Sequence, residues 1–350
     1  MMGFATRLRL NQLVAGLVLT VIFAGLYFHA PALWYKRSGE DNLAIQTPGE
    51  PPCLHLPGAD DTLVVLRTGV TEFRDKFPVH QTTTLRCYPH QLVFADFEEN
   101  YNGTQVIDAL ASVSPAIKDS HADFELYRRV RTQGRAALAE DELSGPSSQG
   151  SGKGGEAENP GWKLDKWKFL PMMEQTWRRR PDMRWYVFVE TDTYILWSSL
   201  LQYLATLDHT KPHYIGDQNQ IGTQVYAHGG AGFIVSQEAM RRVTEHYAEH
   251  QSQLEEFTDG HWAGDCILGK ALEDAGVPLT WGWPIFQGTP PGNVPYAQIA
   301  YNRHLWCNPT ISYHHLTGDM IRGVWEFEQE WIAKSDNVSG ARAYVCTTRG

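Results

Sequence analysis

Two carboxylates one residue apart, Glu190 and Asp192, end the apolar run "WYVFVETDTYI" over residues 185–195. A carboxylate is costly to bury unless it is paired or bound to a cation. The two acids are therefore either solvated at a strand end or held against something positive. Hard oxygen ligands suit Mg²⁺ or Mn²⁺, and such ions commonly come with a phosphate. The local alternative is that Asp192 caps a helix beginning at Thr193 while Glu190 stays solvated. Three further segments carry residues of the right types. In "HGGAGFIVS", residues 228–236, Gly229, Gly230 and Gly232 allow backbone to approach a ligand closely, and an ordinary turn would explain them as well. In "GDCILGKALEDAG", residues 264–276, Asp265 sits at a helix start, where the helix dipole keeps a carboxylate ionised whether or not it does chemistry. In "TISYHH", residues 310–315, His314 is a metal ligand or a satisfied core histidine. Strand alternation lets only one of His314 and His315 face a site.

These residues need a scaffold, and the apolar pattern supplies one. "TLVVLRTG" (62–69) and "QLVFADF" (91–97) are short buried strands, with a helix expected over 73–85 between them. Strand, helix, strand in that order implies a parallel α/β sheet. Trp167, Leu170, Met173 and Trp177 fall on one helix face, with Pro171 expected to bend it. A helix carrying Leu196, Leu200, Leu204 and Leu207 follows the acidic strand, and an amphipathic helix over 321–332 comes last. Open sheets of this kind bind ligands beyond the carboxyl ends of their strands, where Glu190 and Asp192 fall.

The chain has 350 residues, 42% of them hydrophobic and 12 of them Trp, enough for a large core. A formal charge of -10 and the lack of a long basic run argue against a nucleic-acid partner. Residues 13–28 are uncharged and, with their flanks, just span a bilayer; a cleaved signal peptide is the alternative to an uncleaved anchor. Either one sends the rest of the chain to a secretory lumen. The stretch 36–61 is polar and rich in Pro and Gly, as a stem would be, and 145–160 is a low-complexity flexible insert. Five cysteines show no zinc spacing; one or two disulfides are expected, with Cys266 a buried core thiol. Asn102-Gly103-Thr104 and Asn337-Val338-Ser339 are glycosylation sequons that agree with the lumen.

Taken in order, "WKLDKW", "FVETDTYI", "GGAGFIVS", "GDCILGKAL" and "TISYHHL" resemble glycosyltransferase family 31, and within it the core 1 β-1,3-galactosyltransferases, especially their fungal relatives. The resemblance covers residues 63–331. It implies an α/β GT-A type, nucleotide-sugar-binding fold: a mostly parallel central sheet flanked by helices, behind an N-terminal transmembrane helix. The implied layout is a cytoplasmic tail (1–12), a signal anchor (13–30), a stem (31–61), a catalytic domain (62–335) and a C-terminal tail (336–350). A single-pass type II protein of the Golgi or endoplasmic reticulum follows, and the family layout also admits a homodimer.

The same resemblance assigns roles. Asp192, His314 and Glu190 would hold Mn²⁺. Arg67, Thr68, Gly69, Glu190, Thr191 and Asp192 would border the UDP-sugar donor. Gly229, Gly230, Ala231 and Gly232 would line the donor and acceptor cleft, and Asp265 would be the catalytic base. Trp281, Trp283, Trp306 and Trp325 are candidates for stacking on an acceptor sugar, each with a core role as the alternative. Glu190 and Thr191 replace two aspartates of the family's triplet, and Gly264 replaces its usual Glu. The implied reaction is inverting transfer of galactose from UDP-galactose to N-acetylgalactosamine on a glycoprotein, through a β-1,3 linkage. Another UDP-sugar transferase of the same fold, or a non-catalytic lumenal relative that helps folding, are the alternatives.

Overall fold

The computed structural model describes residues 49–143 and 159–335. The expected tails, the anchor, nearly all of the insert and most of the stem lie outside those residues. In chain order the strands are β1 (Thr62–Arg67), β2 (His90–Ala95), β3 (Glu99–Tyr101), β4 (Thr104–Asp108), β5 (Trp185–Glu190), β6 (Tyr194–Ile195) and β7 (Tyr214–Gly216). They continue with β8 (Gln218–Ile221), β9 (Gln224–Ala227), β10 (Phe233–Ser236), β11 (Thr280–Trp281), β12 (Ile299–Ala300), β13 (Arg303–His304) and β14 (Ser312–Tyr313). Eight of them form one sheet in the order β11-β7-β10-β5-β1-β2-β4-β3. The central run β5, β1, β2, β4 is parallel throughout, while β10 is antiparallel to both its neighbours. This mostly parallel sheet between helices fits the GT-A expectation.

Every residue of β1 is buried, because both faces of the sheet are covered. Alternate side chains serve alternate cores. Val64, Leu66, Val187 and Val189 pack with Phe73, Phe77, Trp197 and Leu200 on one face. Leu63, Val65, Tyr186 and Phe188 pack with Phe169, Met173, Met240 and Ile267 on the other. Each fully buried side chain of this kind contributes roughly 1.5–3 kcal/mol. The helices Phe169–Arg179, Gln237–Asp259 and Gly264–Asp274 form the second layer.

Local chemistry accounts for several departures from expectation. The helix expected over 73–85 is two short helices, Phe73–Lys76 and Pro78–Thr82, then a 3₁₀ turn at Thr84–Arg86. Pro78 has no N–H to continue the first ladder and opens the second helix instead. Pro171 lies in the first turn of its helix, where no internal N–H bond is needed, so it does not bend it. The insert ends sooner than expected: Pro160 already opens the helix Pro160–Asp165, capped by Asn159, whose side chain accepts from Gly161 N at 2.9 Å. The folded unit begins before residue 62. Cys53 is fully buried and joined to Cys87, 34 residues away, a closure that stabilises by roughly 4 kcal/mol. Cys307 is also disulfide-bonded, and Cys266 is a free, buried thiol as expected.

Candidate functional site

Parallel register brings β1, β2 and β5 to one edge of the sheet with their carboxyl ends together. Arg67 lies opposite Glu190 and opposite Phe94. Arg67 is buried and forms two ion pairs, one with Glu190 and one with Asp165, and its guanidinium lies 4.1 Å from the centre of the Phe169 ring. Beneath it Lys168, also buried, donates to Thr68 O at 3.0 Å and lies 3.4 Å from Asp96 and 3.6 Å from Asp165. Buried charges survive only when paired, and here acids and bases interleave. Burial opposes the charge of both Arg67 and Lys168, but the surrounding carboxylates outweigh it and both titrate above their ordinary values. Burial would raise Asp165, yet Arg67 and Lys168 hold it below the usual carboxylate range. Glu190 differs: burial, opposed by Arg67 and helped by Asp192, pushes it up to about 6.

Beyond Glu190 the chain turns sharply. The helix expected to start at Thr193 starts at Trp197 instead, so Asp192 is not a helix cap. Thr193 and β6 intervene, and β6 pairs antiparallel with β14. That pairing brings His314 to Asp192. The imidazole Nε2 is 3.3 Å from Asp192 Oδ1, and Lys76 Nζ is 3.3 Å from Oδ2. Burial disfavours the Asp192 charge, but the bond to His314 and the charges of His314 and Lys76 hold it well below the usual carboxylate range. Two backbone ties lock the arrangement: Thr193 Oγ1 donates to Gly230 O at 2.6 Å, and Leu316 N donates to Asp192 O at 2.9 Å. On the other side the Thr191 carbonyl accepts from His80 Nε2 at 2.8 Å, which leaves His80 Nδ1 to accept from Thr84 Oγ1 at 2.8 Å.

The Gly-rich turn has a more specific task than a general close approach. A Cβ on Gly230 would overlap the ring of His314, so the missing side chain makes the recess in which the imidazole sits. Gly229 N–H donates to Asp265 Oδ2 at 3.0 Å, which orients the candidate base. Asp265 lies in the first turn of the helix Gly264–Asp274. Burial raises it above the ordinary Asp value, opposed by the Gly229 N–H, by Arg67 and by the Cys266 N–H. Gly264, in place of the family's Glu, packs so tightly on Phe169 and the Lys166 backbone that no Cβ fits.

The two histidines also depart from expectation. The strand ends at Tyr313, and His315 takes a left-handed backbone with φ 60°. Alternation therefore no longer applies, and the two rings stack with centroids 3.8 Å apart. Asp192, His314 and His315 each present one ligand atom, all within 4.8 Å of one another. Nδ1 of His314 is buried with no hydrogen-bond partner among the described residues. A carboxylate with two imidazoles within reach of one another is a donor set that fits a divalent cation. Glu190 is turned away from this group, with one oxygen on Arg67 and the other 4.0 Å from His314 Nε2.

Thr68 and Gly69 lie at the end of β1, but the Arg67 side chain is committed to its two acids. Of the aromatic candidates, Trp281 is 39% exposed and stacks on Trp283 at 5.6 Å, and Tyr301 closes on both at 5.0 and 5.3 Å. Trp306 is exposed, whereas Trp325 packs against the core, as its helical spacing implies. Asp165, Lys168 and Lys76 carry no sequence signal of their own, and strand alternation turned His315 away from the site. The only pointer to the first two is that Asp165 lies in "WKLDKW" and Lys168 directly follows it.

The Fringe-like family model matches residues 163–320, a span that holds Glu190, Asp192, the Gly-rich turn, Asp265 and His314. A human protein named beta-1,3-glucosyltransferase is 27% identical over 175 residues, 48% of this chain and 32% of that protein. A mouse protein of the same name is 31% identical over 121 residues, 33% of this chain and 23% of that protein. The chain thus spans a third or less of the length of the curated relatives it matches. Over the stretch that carries the site, these likenesses support a glycosyltransferase that uses a UDP-sugar.

Proposed function

We propose that the chain transfers a hexose from a UDP-sugar, with inversion, to a hydroxyl of a glycan or glycoprotein through a β-1,3 linkage. The observation that carries this is the meeting of Asp192, His314, the Gly229–Gly232 turn and Asp265 where the parallel strands end. Asp192 and His314 would hold the divalent cation, Mn²⁺ in the family's case. When bound, that ion supplies Lewis acidity toward the diphosphate of the leaving UDP. Thr68, Gly69 and Thr191 border the donor from the strand ends. Lys76 adds positive charge on the same side. Asp265 accepts the proton of the attacking hydroxyl; burial raises its proton affinity, and the Gly229 N–H fixes the oxygen that does not take the proton. Trp281 and Tyr301, beside the half-buried Trp283, offer the exposed aromatic surface on which an acceptor sugar stacks.

The family resemblance favours galactose as the donor sugar and N-acetylgalactosamine as the acceptor, while the relatives' names favour glucose, so UDP-galactose and UDP-glucose are the two donors to compare. The Cys53–Cys87 disulfide supports an oxidising compartment, in line with a lumenal domain behind a type II anchor at residues 13–30. Among the described residues no helix is long and apolar enough to cross a membrane. The direct test is calorimetry of UDP with the full-length protein, in Mn²⁺ and in chelator. UDP binding that requires Mn²⁺ and vanishes in Asp192→Ala is expected. Folded protein that binds no UDP under either condition overturns the proposal in favour of a non-catalytic lumenal protein. Asp265→Asn is expected to lower turnover by about a hundred- to ten-thousand-fold while UDP binding persists, as steady-state kinetics beside calorimetry will show.

A further inference from the structure

We infer that His315 is a direct ligand of the same divalent cation as Asp192 and His314, giving a site of one carboxylate and two imidazoles that prefers first-row transition metals to Mg²⁺. This rests on the proposed function only in taking Asp192 as a cation ligand. The sequence pattern argued against it, since a continuing strand would turn His315 away. The strand does not continue. Its last residue is Tyr313, and His315 adopts φ 60°, a left-handed conformation that a non-glycine residue keeps where its surroundings enforce it. The result is to bring the second imidazole back beside the first, 3.8 Å between ring centroids, with its ligand nitrogen inside the 4.8 Å group formed with Asp192 and His314.

Three neighbours shape this group. The Gly230 recess holds the His314 ring in place. Lys76 occupies the Oδ2 side of Asp192, which leaves Oδ1 toward the histidines. Glu190, the expected third ligand, spends one oxygen on Arg67. The group that presents ligand atoms to one point is therefore Asp192, His314 and His315. The change of ligand type has a chemical consequence. Mg²⁺ favours an all-oxygen shell, whereas imidazole nitrogen suits Mn²⁺, Co²⁺ and Zn²⁺, and two imidazoles with one carboxylate form a recognised transition-metal set.

The test uses the full-length protein and Mn²⁺ alone, without nucleotide, followed by electron paramagnetic resonance. Pulsed measurements on the wild-type protein should show couplings from two imidazole nitrogens, and a hundredfold excess of Mg²⁺ should leave most Mn²⁺ bound. His315→Gln, checked for folding by thermal melt, should weaken Mn²⁺ binding at least about tenfold. Coupling from a single imidazole, or unchanged affinity in a folded His315→Gln protein, overturns the inference. Asp192→Ala separates the two claims. If it abolishes Mn²⁺ binding while His315→Gln does not, only the role of His315 falls. If Asp192→Ala binds Mn²⁺ as well as wild type does, the cation site of the proposed function falls with it.

Discussion

One strand, β5, feeds two charge clusters of opposite character. Glu190 enters a closed set in which Arg67 and Lys168 interleave with Asp165, Asp96 and Glu190 itself. Asp192, two residues on, enters an open one, where two stacked imidazoles converge on a carboxylate and a buried nitrogen lacks a partner. In the first cluster buried bases lie between acids, and the pairing ties distant segments together. In the second, Asp192 lies between His314 and Lys76, which hold it well below the usual carboxylate range, whereas burial pushes Glu190 up to about 6. Two acids from one strand end thus differ in acidity because their neighbours differ.

The sharpest way to break this comparison is to unbalance the closed set. Asp96→Ala leaves the Lys168 ammonium buried with less compensation, and the unfolding free energy in urea should fall by about 3–5 kcal/mol. No change would mean that the network is ornamental and the contrast false. Arg67→Lys keeps the charge but cannot bridge Asp165 and Glu190 with a planar fork, so a loss of about 1–3 kcal/mol is expected in the same assay. A third measurement follows pH. Asp165 is depressed in the folded state, so its pairing stabilises the protein above the ordinary Asp value of about 3.9 and is lost as pH falls through the lower folded value. Thermal melts below about pH 4 should show a shallower loss of stability in Asp165→Asn than in wild type.

How much of this was legible beforehand depends on range. The buried strands and the helix that carries Asp265 follow from local periodicity, while the gathering of Glu190, Asp192, His314 and the Gly-rich turn is what the family resemblance implied. The closed set does not, because Arg67 finds its partners 98 and 123 residues away, and no local pattern encodes such pairing. His315 was misplaced for a different reason. Alternation is a rule about continuing strands, and β14 stops after two residues. The helix start at Asp265 was legible, but the burial that raises its proton affinity comes from the packed fold. The chain direction of β10, opposite to β5, could not be read from "GFIVS" either, yet it delivers Gly230 to His314.

The missing methyl at Gly230 makes the site vulnerable at a residue with no side chain to offer a ligand. Position 230 and position 314 share one volume, and only one of them can fill it. Adding a single carbon at residue 230 would evict the imidazole as surely as deleting the histidine, while leaving every candidate ligand in the sequence. Anyone searching genomes for silent descendants of this protein by the presence of Asp192 and His314 alone would pass over such a chain. The glycine is the better witness to whether the pocket still works.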